Sequence, residues 1–171
     1  MPQPQPSSLT LSRRVLRVLI GLNLLVGFLI LVLLVASLVA EQWVMTALGI
    51  PDTPRLALGA RLIMLIGILG TPLTHLVLTR LQAIVATVSV GDPFVAGNAT
   101  RLQQIAWAVL GIELLHVCVG IVRASVSSAT GRLDIDWTFS LTPWLAVLLL
   151  FVLAQVFDHG ARMRDELEGT V

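Results

Sequence analysis

Charge is what this chain lacks most. Only 12% of its 171 residues are Asp, Glu, Lys or Arg, about half of the roughly 25% carried by a soluble domain. That is too little to build a solvated surface around a core of this size, so the lipid bilayer is the expected solvent. Lysine is absent, and all eleven basic side chains are Arg. The net charge of +1 gives no reason to expect direct binding to nucleic acid. The single cysteine, Cys118, excludes an internal disulfide and a thiolate zinc cluster. No glycine-rich phosphate loop, serine-base arrangement or paired carboxylate occurs in a polar segment. The reading is therefore of a protein that is not an enzyme and that holds no cofactor.

What is present is hydrocarbon. Hydrophobic residues make up 56% of the chain, and the mean hydropathy is +0.92. Four apolar runs cover residues 15–40, 56–78, 105–126 and 141–157, the last lengthened by the lead-in 137–140. Each approaches the ~20 residues that a helix needs to cross about 30 Å of hydrocarbon. The runs are continuous rather than alternating, which favours helices over barrel strands. The expected fold is all-α: an integral membrane four-helix bundle in one domain, 15–171, after a disordered N-terminus, 1–14. Its helices are placed at about 15–40, 56–89, 99–126 and 141–167. The first run has a basic start, but it is far longer than the roughly 7–15 apolar residues of a signal-peptide core, and it reads as a retained anchor.

Arginine sets the orientation. The N-terminal flank, the central loop and the tail hold Arg13, Arg14, Arg17, Arg80, Arg101, Arg162 and Arg164, against Arg55 and Arg132 in the other two loops. The positive-inside rule then places both termini and the central loop in the cytoplasm. Trp107 falls at the inner end of its run, while Trp43, Trp137 and Trp144 fall near the outer interface. Arg61 and Arg123 lie near the outer ends of theirs and are expected to snorkel to the headgroups. Fusions of a periplasm-active reporter after Asp52 and Asp134 are expected to be active, and fusions after Asp92 and at the C-terminus inactive. A reversed pair removes this topology.

The central loop, GDPFVAGNATRLQQ at 91–104, is the one long polar stretch in the middle of the chain. Residues 79–89 can carry the second helix out of the membrane, with Leu81, Ile84, Val85 and Val88 on one stripe. Gly91-Asp92-Pro93 breaks it, because Pro lacks the amide donor and restricts the residue before it. Asn98 is a good N-cap for the next helix. The stretch is thus the tip of a helical hairpin: a plain turn, or a docking surface for a cytoplasmic partner. The Asn98-Ala99-Thr100 sequon is a chance match on the cytoplasmic side.

Gly91, Pro93, Phe94, Asn98, Arg101 and Leu102, together with Phe157, Gly160, Ala161, Leu167, Thr170 and Val171 of the tail, resemble the bacterial membrane family catalogued as domain of unknown function 2975. The resemblance spans roughly residues 10–171. It implies a small four-helix protein of the inner membrane with no assigned activity. Members are often encoded beside a small helix-turn-helix transcription regulator, which implies such a regulator as a partner. Asp92, Pro93, Phe94, Asn98 and Arg101 at the tip, with Arg162, Arg164, Asp165 and Glu166 in the tail, form the expected partner surface.

Polar residues inside the apolar runs are costly in lipid and are suspected of function. Asn23, Thr71, Glu113 and His116 fall at similar depths and could converge in one intramembrane cluster. Glu113 and His116, three apart, share a helix face. Pro72 frees the Ile68 carbonyl and favours a kink. The cluster would either hold helices together or sense a ligand or proton. Metal is disfavoured, because di-iron bundles need two Glu-x-x-His motifs and two further Glu. Haem is disfavoured too, because His75 and His116 differ in depth by about 12 Å at 1.5 Å per residue. The acids of 134–137, DIDW, read as a solvated loop. Three functions stay open: a regulatory or signalling protein with a cytoplasmic partner, a small oligomeric transporter or channel using Glu113 and His116, and a structural subunit of a membrane complex.

Overall fold

The computed structural model describes residues 7–49, 53–89, 95–130 and 140–168. Every regular element among them is helical: α1 (Ser7–Val39), α2 (Glu41–Ala47), α3 (Pro54–Val88), α4 (Ala96–Thr130) and α5 (Thr142–Glu168). The four long helices are each long and apolar enough to cross a membrane. The all-α, four-span architecture stands, with two changes at the ends. α1 begins at Ser7, within the stretch expected to be disordered. A short helix, α2, follows the first span where a loop was expected.

At ~1.5 Å per residue, the 33 residues of α1 and the 35 of α3 and of α4 exceed the hydrocarbon thickness. These helices therefore run on past the bilayer. Local chemistry ends them. Gly49, at φ 66°, takes the left-handed conformation after α2, with its N–H on the Thr46 carbonyl. Pro54 opens α3 at a position where a missing N–H costs nothing. Inside the spans, hydroxyls are satisfied by their own helix: Thr71 on Gly67, Thr74 on Gly70, Thr79 on His75 and Ser125 on Ile121.

α1 packs on α3, α3 on α4 and α4 on α5. No comparable packing joins α1 to α5 among the described residues, so the spans form an open row rather than a closed ring. The start of α1, the α3–α4 turn and the end of α5 share one end of this row, here termed the hairpin end. Burial gathers at the two ends. At the hairpin end, Asn98, Ala99, Leu102, Ile105, Ala106 and Ala108 of α4 and Ala154 and Ala161 of α5 are buried. At the other end α2 closes over its neighbours, burying Val44 and Met45 with Ser37, Ala57 and Met64. Between the ends, long apolar side chains such as Leu22, Phe28, Leu69, Leu114 and Leu148 face outward, as a lipid-solvated surface requires.

Candidate functional site

The polar residues of the spans separate into two groups. Asn23 donates from Nδ2 to the Thr71 carbonyl at 3.1 Å, which ties α1 to α3 beside Pro72. One turn along α1, Gly27 lies against the Thr71 side chain so closely that an added Cβ would come within 2.6 Å of Cγ2 and 2.8 Å of Oγ1. Glu113 and His116 are elsewhere. Their closest atoms, Oε1 and Nδ1, are 3.5 Å apart, within ion-pair reach on one helix. The Glu113 side chain is 15% exposed and that of His116 is 67% exposed. The expected convergence of all four residues does not occur. Depth was matched but azimuth was not: α4 meets α3 through Gly111 and Leu115, which touch Leu73 and Gly70, and Glu113 points away from that flank.

The α1–α3 pair carries a reciprocal clasp that sequence reasoning missed. Arg13 of α1 donates to the Ser89 hydroxyl and, at 3.5 Å, to the Ala86 carbonyl at the end of α3. Arg61 of α3 donates at 2.6 Å to the Ser37 carbonyl at the end of α1, and pairs with Glu41 at 3.0 Å. Each arginine thus reaches a last-turn carbonyl of its neighbour, Ser37 for Arg61 and, shared with the Ser89 hydroxyl at 2.7 Å, Ala86 for Arg13, where the helix dipole favours a cation. Arg61 is therefore engaged by protein, not snorkelling to headgroups. The available signal was antiparallel pairing: an Arg one or two turns inside one helix falls level with the last turn of the next.

At the hairpin end, Asn98 is fully buried. It does not cap α4, which begins two residues earlier at Ala96. Its Nδ2 instead donates to Thr87 Oγ1 of α3 at 2.7 Å, and its Oδ1 accepts from Arg101 at 2.8 Å. Asn98 is a latch across the hairpin, and it holds Arg101 one turn along the same helix. Asp92, Pro93 and Phe94 lie outside the described residues. On α5, Arg162 pairs with Asp158 at 2.8 Å. Arg164 and Glu166 are exposed, while Asp165 continues the helix with its side chain outside the described set. A groove of about 560 Å³ along α5 is lined by Val152, Gln155, Val156, His159, Met163 and Arg164. No group of three or more His, Cys, Asp or Glu that could hold a metal occurs among the described residues.

A family model described as "Protein of unknown function (DUF2975)" matches residues 24–171, which takes in the second half of α1 and all of α2, α3, α4 and α5. No similar curated protein and no similar solved structure is found.

Proposed function

The chain belongs to the DUF2975 family of proteins of unknown function, and we propose that it is a non-enzymatic regulatory or signalling protein of the bacterial inner membrane. Its hairpin end faces the cytoplasm and binds a protein partner there, with a small helix-turn-helix regulator as the first choice. The observation that supports this most is how the hairpin end is built. α3, α4 and α5 continue roughly two to three turns beyond their apolar runs. Their projecting parts enclose a buried interior of Asn98, Ala99, Leu102 and Ala161. A loop that only reversed the chain would need none of this. A rigid helical platform presenting mixed charge is suited to recognition, because little ordering remains to be done on binding.

The chemistry of the platform favours a basic partner. Glu166 is exposed near the end of α5, and Asp165 and Glu168 lie beside it in sequence, beyond Arg162 and Arg164. The arginines suit an anionic inner leaflet, which repels the acidic end into the cytoplasm. An acidic patch there steers a basic DNA-binding protein toward the membrane. Deletion of residues 165–171 touches no span and is expected to leave membrane insertion intact. Crosslinking and pulldown from native membranes are expected to recover a DNA-binding regulator with the full chain and to lose it with the deletion, and high salt is expected to weaken recovery with the full chain. Equal recovery from both chains removes the tail from the partner site.

A further inference from the structure

We propose that the hairpin end binds one anionic phospholipid on α1 and α3, with the headgroup phosphate taken between Arg17 and Arg80. α1 and α3 carry arginines but not one Asp or Glu. At the far end, Arg61 draws its counter-charge from Glu41, outside both long helices. At the hairpin end, Arg13 is held by the Ser89 hydroxyl and the Ala86 carbonyl. Arg80 has no such support. It is half-buried, and its Nε is shut off from solvent with no hydrogen-bond partner among the described residues. Arg17 is exposed, and neither arginine pairs with an acid among the described residues. A cation covered by protein without a counter-charge is unfavourable. An anion belongs beside Arg80.

The two arginines stand at one level and on one side of the row. Arg13 reaches Ala86, so in antiparallel register Arg17, one turn along α1, is level with residue 82 of α3. α3 meets α1 at Gly67, Thr71 and Ala86, and α4 at Gly59 and Gly70. At about 100° per residue, one broad face of α3 remains between those flanks. Leu62, Leu65 and Leu69 are exposed on it, and Thr79, Arg80 and Ala83 continue it to the hairpin end. Arg80 stands at its α4 edge. The Arg13–Ala86 contact lies toward its α1 edge, which places Arg17 there.

Depth selects the ligand. Arg80 is two residues beyond the apolar run 56–78, about 3 Å at 1.5 Å per residue, and so at the headgroups. Trp107, level with residue 77 through the contact of Gly111 with Leu73, is exposed and marks the same boundary, as interfacial aromatics do. α3 runs on to Val88, about two turns further, so a protein in the aqueous phase meets those turns first. A headgroup phosphate offers acceptors to both guanidinium groups, while its acyl chains lie along Leu69 and Leu65. Two cations facing one phosphate favour a headgroup without an amine, such as phosphatidylglycerol. Basic pockets between membrane helices take acidic headgroups in this way. The site works in either leaflet and does not depend on the proposed protein partner.

Melting of the full-length chain in neutral detergent, with added phosphatidylglycerol or phosphatidylcholine, tests this directly. Phosphatidylglycerol is expected to raise Tm and phosphatidylcholine to leave it almost unchanged. The lipid concentration needed for half the rise is expected to increase about fivefold in Arg80→Gln and about fivefold in Arg17→Gln. Arg14→Gln is the control, since Arg14 lies about 180° round α1 from Asn23, and it is expected to respond like the wild type. Arg80→Gln should fold without lipid, because it removes an unpaired charge. Arg17→Gln, at an exposed position, reads out the same site if it does not. Equal response to the two lipids overturns the proposal. So does an unchanged response in Arg17→Gln, or a loss in Arg14→Gln as large as in the other variants, which would mean diffuse surface charge. Abolition of the lipid effect by inorganic phosphate at constant ionic strength also overturns it, in favour of a soluble anion.

Discussion

Gly27→Ala is expected to lower stability in detergent by about 1–3 kcal/mol, the usual range for overpacking a filled contact. Thr71→Ala in the same chain should restore most of it. The added Cβ would come within 2.6 Å of Thr71 Cγ2 and 2.8 Å of Oγ1. Turning Thr71 about χ1 gives no relief, since the two branches that would be exchanged are both in the way. α1 must then retreat from α3, and Asn23, one turn along the same face, loses its 3.1 Å bond to the Thr71 carbonyl. Ile30, packed on Gly67 one turn the other way, loses contact as well. Thr71→Ala alone should be mild, because it removes only a hydroxyl that bonds its own helix and one methyl group of packing. The double variant should therefore melt close to Thr71→Ala, and a thermodynamic cycle should show strong favourable coupling. Additive losses would mean that the close approach of Gly27 to Thr71 is not what sets the α1–α3 distance.

Asn98→Ala should cost about 2 kcal/mol, on the basis of roughly 1 kcal/mol for each of two net hydrogen bonds. The Asn98 amide is the group that joins the end of α3 to the start of α4 through Thr87 and Arg101. Thr87 is not orphaned by its loss, since its hydroxyl also donates to the Ile84 carbonyl at 2.7 Å, and Arg101 is partly exposed and can turn to water. Those two relaxations are why the figure is not larger. Arg101→Ala should cost less than Asn98→Ala, because it removes one of the two bonds and leaves the buried amide on Thr87. Amide exchange should rise at the start of α4 in Asn98→Ala while the middle of α4 stays protected. If Arg101→Ala proves the more damaging, the latch is misassigned and the guanidinium holds the hairpin by another contact.

The sequence alone determined the solvent and the secondary structure of this protein. Four runs of about 20 apolar residues in a chain with half the usual charge have one stable solution, because lipid offers no hydrogen bonds and every backbone group must be satisfied within its own segment. That requirement is local, so it can be read residue by residue, and the spans followed from it, as the end of α3 followed from the Gly91-Asp92-Pro93 sequence. The short α2 and the early start of α1 did not, because ends are decided by neighbouring helices more than by composition. Depth along the membrane was legible for the same local reason. Azimuth was not, because which flank of a helix meets its neighbour depends on packing between segments far apart in sequence. That is why Asn23, Thr71, Glu113 and His116 could be set at one depth from the sequence, while the flank of α4 that carries Glu113 and His116 could not. It is also why Arg61 read as a snorkelling cation. Only the tertiary structure set it beside the Ser37 carbonyl and Glu41, turned Asn98 from a cap into a latch, and left the row of helices open between α1 and α5.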